Sequence, residues 1–128
     1  MKNQPSLAFV AVSWTALAAG IIAYLIGLWN SDMILSEKST FFTLLMFGLF
    51  SAVTVQKSVR DREEGVRVTD TFYAISWTAA LLAVLLSTVN LWGATLTLSA
   101  KGFYAMAYVL SMFAAITVQK NTRDREQP

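Results

Sequence analysis

The chain has 128 residues, 55% hydrophobic and 14% charged, with a formal net charge of +2, no cysteine and no histidine. A composition so apolar and so poor in charge excludes an ordinary soluble domain of this length. The missing residue types exclude disulfides, thiol chemistry and the usual His and Cys metal sites.

Four long stretches carry no charge. They lie between Lys2 and Asp32, Lys38 and Lys57, Asp70 and Lys101, and Lys101 and Lys120, and hold 29, 18, 30 and 18 residues. A helix needs about 20 apolar residues to cross a bilayer core of about 30 Å, so four crossings are expected. The two shorter stretches still qualify, because 18 residues reach about 27 Å and the flanking lysines can snorkel the difference.

In chain order, Pro5 and Ser6 read as a helix entry with Ser6 as the cap. The first span is residues 7–29. Ala16-Leu17-Ala18 resembles a signal-peptidase site, but apolar sequence runs on through Leu28 and the segment matches a second copy, so it is expected to be retained. Ala16, Gly20, Ala23 and Gly27 form one small-residue stripe, the pattern by which membrane helices pack closely. Trp29 and Asn30 end the span at an interface. A connector over residues 31–39 then turns the chain back into a second span, residues 40–55, giving an antiparallel hairpin.

Residues 56–63, Gln-Lys-Ser-Val-Arg-Asp-Arg-Glu, return as Gln119-Lys120-Asn121-Thr122-Arg123-Asp124-Arg125-Glu126, offset by 63. The first copy is expected to extend the helix, with Lys57 and Asp61 as i,i+4 partners and Gly65 as the stop. Thr69 or Asp70 then caps a third span, residues 71–92. A second connector over residues 93–101 leads to a fourth span, residues 102–118.

Laying residues 9–64 over 72–127 needs no gap and gives 21 identities, among them Ser13-Trp14-Thr15-Ala16 with Ser76-Trp77-Thr78-Ala79. The chain is thus two tandem repeats, 7–64 and 70–127, joined by a linker at 65–69. Each has an even number of spans, so the repeats are parallel, related by an axis along the membrane normal. The fold class expected is all-α, an integral membrane four-helix protein of two tandem parallel-repeat helical hairpins.

Lys and Arg are divided eight to two between the sides: Lys2, Lys57, Arg60, Arg62, Arg67, Lys120, Arg123 and Arg125 against Lys38 and Lys101. By the positive-inside rule both termini and the central linker are expected to be cytoplasmic. Trp14 and Trp77 then form an inner aromatic belt, and Trp29 and Trp92 an outer one. Depth matching brings Ser13 level with Gln56, and Ser76 level with Gln119.

No span holds a titratable group of the kind a proton relay requires. Asn90 sits beside Trp92, where an interfacial place suits it. The octads are nearly neutral, +3 against −3 in the first when Glu64 is included, which suits neither nucleic acid nor anionic lipid. The candidate working surface is therefore the cytoplasmic set Gln56, Lys57, Arg60, Asp61, Gln119, Lys120, Arg123 and Asp124.

The segments Ser13-Trp14, Gly27-Leu28-Trp29-Asn30, Glu37-Lys38, Gly48-Leu49-Phe50-Ser51-Ala52 and Gln56-Lys57 with Arg60-Asp61 resemble the YiaAB two-helix domain family of bacterial inner-membrane proteins. In the second copy Gly93 replaces the Asn and Ala100 the Glu. The resemblance implies a bacterial inner-membrane location and carries no activity. No catalytic residue, cofactor or metal is expected. The function expected is a non-enzymatic structural or association role, with the lipid bilayer, a second copy or another membrane protein as partner. The alternative is a small-solute transporter or channel acting as a homo-oligomer.

Overall fold

The computed structural model describes residues 4–126, so Lys2 and Gln127, which the charge count and repeat boundaries included, lie outside the described residues. Four helices follow in order: α1 (Leu7–Trp29), α2 (Leu35–Glu63), α3 (Asp70–Gly93) and α4 (Leu98–Glu126). All four are long and apolar enough to cross a membrane.

The helix ends follow local chemistry. Ser6 Oγ accepts from the Phe9 amide at 3.1 Å, and Thr69 Oγ1 from Phe72 at 3.2 Å, each satisfying an amide with no intrahelical partner. Gly65, at φ 79°, supplies the left-handed residue that stops α2.

α2 and α4 begin earlier than expected, at Leu35 and Leu98. Glu37 Oε1 accepts from Ile34 N at 3.3 Å and Thr97 Oγ1 from Ala100 N at 3.1 Å, so both connectors shrink to short turns. At 29 residues each, these helices run about 43 Å. They outreach a bilayer core of about 30 Å and project their octads beyond it.

The helices of one repeat scarcely pack on each other. α1 lies along α4, α3 lies along α2, and α2 and α4 form the central pair; α1 and α2 meet only slightly, as do α3 and α4. Each hairpin thus exists in the chain's path, while its long contact is made with the other repeat. Alternating direction makes α2 and α4 parallel, and exchanging the repeats maps one long interface onto the other.

Side-chain size explains the exchange. At Gly20 a Cβ would lie 2.5 Å from Ser111 Oγ, and at Gly27 one would lie 2.7 Å from the Phe103 ring. Both close approaches are between α1 and α4. In the half of the bundle near the connectors the core is aromatic: Tyr24 meets Tyr104 edge to face at 5.4 Å, Phe41 stacks on Tyr104 at 6.2 Å, and Leu28 and Leu45 close around them. Toward the octads the core narrows to Ser51, Ala52, Ala114 and Ala115, which lets the helices approach where their charged ends must meet.

Candidate functional site

The octads occupy the last turns of α2 and α4, and because these helices are parallel, identical sequences meet side by side. Within each, a lysine reaches one turn on: Lys57 Nζ to Asp61 at 2.7 Å and Lys120 Nζ to Asp124 at 2.8 Å. Across the pair, Arg60 donates to Asp124 and Arg123 donates to Asp61. These bonds are repeat-related, each residue being 63 positions from its counterpart. Arg60 also bonds Glu64 at 2.7 Å, and Arg123 bonds it at 2.9 Å.

The pairing is sheltered. The side chains of Asp61 and Asp124 are 8% and 11% exposed, those of Arg60 and Arg123 17% and 18%. Hydrogen bonds from Lys57 and then Arg123 hold Asp61 below the usual carboxylate range against its burial. For Asp124 burial pushes upward, but the bonds from Lys120 and Arg60 together prevail and lower it. Asp124 in turn raises Arg60, and Asp61 raises Arg123. Such charge-assisted bonds are the strong kind, so the arrangement is a clasp between the central helices.

Of the sequence-derived surface, Lys57, Arg60, Asp61, Lys120, Arg123 and Asp124 are thus drawn into one network and spent on one another. Gln56 and Gln119 are half-buried at its margin. The expected depth partners are corrected. Ser13 Oγ accepts from Asn121 Nδ2 at 3.1 Å, and Ser76 Oγ lies 3.4 Å from Ser58 Oγ, so neither serine is placed with a glutamine. Two residues turn a helix by about 200°, which puts positions 58 and 121 toward the flanking helices. The signal was present in the octad: the second polar residue after each glutamine is short enough to be buried.

The small-residue stripe is likewise used internally, Gly20 and Gly27 facing α4. Trp14, Trp29, Trp77 and Trp92 all point outward. Lys38 and Lys101 tie the connector ends by donating to the Trp29 and Trp92 carbonyls at 3.2 and 2.8 Å. Asn90 is exposed and returns its amide to Leu86 O at 2.8 Å. A cavity of about 630 Å³, lined among others by Asp32, Glu37, Thr97 and Tyr104, opens between the two connectors. Sequence reading missed it because it depends on how the connectors face each other. Among the described residues no group of three acidic, His or Cys side chains could hold a metal.

Four apolar helices in two tandem, pseudosymmetric hairpins define an integral, multi-pass membrane protein. The yiaA/B two helix domain model matches the chain twice, over residues 9–61 and 72–124, and the chain belongs to that family. Inner membrane protein YiaA of Escherichia coli (strain K12) is 52% identical over 119 residues, covering 93% of this chain and 82% of that protein. No solved structure matches. The four spans and this relative make the chain a multi-pass inner-membrane protein.

Proposed function

We propose that this is a non-enzymatic structural protein of the bacterial inner membrane that acts by association, with itself or with another membrane protein. The octads and both termini are cytoplasmic in this reading, as the eight-to-two division of basic residues indicates. The observation that carries it is that the sheltered octad charges, Arg60, Asp61, Arg123 and Asp124, pair with one another within the chain, while large apolar side chains such as Phe50, Leu81, Val109 and Phe113 remain outward. A monomer of this kind offers its flanks and little internal chemistry. Native mass spectrometry from a mild detergent tests it: a dimer or co-purifying membrane protein supports the reading, and a strict monomer without partner contradicts it.

A second reading, a small-solute transporter working as a homo-oligomer, is favoured by the cavity between the connectors, whose size falls in the range of small-molecule sites. Flux through reconstituted vesicles that disappears on Asp32→Asn with Glu37→Gln would establish it over the first. Unchanged permeability across a broad solute panel would remove it.

A further inference from the structure

The two long helix interfaces are related by the repeat, but they are not equally filled. In the first, Tyr24 of α1 packs its ring against Tyr104 and Tyr108 of α4. The residue 63 positions on, in α3, is Ser87. Beside Ser87 a cavity of about 110 Å³ opens between α3 and α4, lined by Ser87, Tyr104 and Tyr108, with Tyr24 and Phe41 also on its wall. Val84, Thr88 and Val109 also border it and are exposed on the outer surface of α3 and α4, two helices that barely touch. The opening is therefore lateral, toward the bilayer.

Ser87 adds a second, independent feature. In this fold Ser13, Ser76 and Ser111 each return the hydroxyl to the carbonyl four residues back, at 2.8 Å. Ser87 does not: its Oγ is buried and makes no hydrogen bond of ordinary geometry among the described residues. Its polar contact is a loose one to the Tyr108 hydroxyl, which itself donates toward the carbonyls of Leu44 and Ala83, at 3.3 and 3.5 Å. A buried hydroxyl with so loose a partner is poorly satisfied, and more so at membrane depth. An apolar cavity of about 150 Å³ accepts a benzene ring; this one, at about 110 Å³, is smaller but open toward the bilayer, so a single ring is the largest group it admits.

We propose that the cavity is a lateral binding site for a membrane-soluble, six-membered ring bearing one hydroxyl or carbonyl oxygen, which enters between α3 and α4 and hydrogen-bonds Ser87 Oγ. The ring lies between α3 and α4 beside the Tyr24 side chain, in the space that the short Ser87 side chain leaves open. Phe41, Tyr104 and Tyr108 supply edge and face contacts, and Ser87 supplies the polar selectivity. The site is independent of whether the protein acts by association or transport.

The test uses the full-length protein in detergent with phenol and benzene as probes, and reads saturable shifts in the unfolding midpoint. Phenol is expected to stabilise the protein saturably and to bind about fivefold more tightly than benzene, a ratio one hydrogen bond can supply. Ser87→Ala brings the two probes to parity. Ser87→Tyr, which restores the residue of the first repeat, raises the midpoint without ligand and abolishes the phenol response, which also separates binding from partitioning into the micelle. If tyrosine prevents folding, Ser87→Leu serves as a smaller plug with the same expected loss of response. A phenol response of equal size in the plugged variant, or no saturable response in the unaltered protein, overturns the proposal.

Discussion

Arg60 of the first repeat donates to Asp124 of the second, and the repeat-related Arg123 returns the bond to Asp61. The duplicated octad is thus a self-complementary unit, in which the arginine of each copy fits the aspartate of the other. Removing one arginine leaves a mostly buried carboxylate with half its partners. Arg60→Ala is expected to cost about 2 kcal/mol in a thermal unfolding assay. Exchanging the pair, as Arg60→Asp with Asp124→Arg, should recover part of that loss, and no recovery would argue against a direct bond.

The same pairs fix a pH dependence. Asp61 and Asp124 lie below their ordinary value of 3.8 in the folded protein, so folding favours their charged forms. The stability they contribute is present above about pH 4 and is lost as pH falls through the lower folded values. Unfolding midpoints should therefore be level near neutrality and drop in acid. In Asp61→Asn with Asp124→Asn the acid-dependent part should be smaller, and an unchanged acid limb would show that other carboxylates govern it.

Close approach predicts a sharp difference among glycines. At Gly48 an added Cβ would run into the Tyr108 hydroxyl, whereas at Gly93 and Gly102 it would meet nothing within 4 Å. Gly48→Ala should destabilise by about 1–3 kcal/mol, as overpacking does. Gly93→Ala should be nearly neutral. Equal effects at the two positions would contradict the placement of Tyr108 across α2.

Orientation is tested by reporter fusions. Fusions after Arg67 and after Arg125 are both expected to read cytoplasmic, and one after Asp32 external. An external signal from the C-terminal fusion would overturn the charge argument.

Span number, repeat, caps and the Lys57–Asp61 pair were legible because each rests on local pattern: uncharged length, a fixed offset of 63, a hydroxyl before a helix, and i,i+4 spacing. The choice of helix partner was not. Ser13 and Gln56 are level in depth, and depth alone cannot say whether α1 turns toward α2 or toward α4. That choice depends on which small residue faces which larger one, Gly20 against Ser111 and Gly27 against Phe103, and on Asn121 being turned inward to Ser13. The connector cavity and the space beside Ser87 were hidden for the same reason. The second came from a difference between copies, Tyr24 against Ser87, that acquires meaning only once the interfaces are superposed.

The central claim is that the repeats exchange helix partners, and disulfide trapping tests it most directly in this chain, which has no cysteine of its own. Ser13→Cys with Asn121→Cys, and Ser76→Cys with Ser58→Cys, should each crosslink rapidly within one chain under mild oxidation in the membrane. Ser13→Cys with Ser58→Cys, which joins the two helices of a single repeat, should crosslink slowly or not at all. Rapid crosslinking of the 13–58 pair with none at 13–121 would show that each hairpin packs on itself, and would contradict the account.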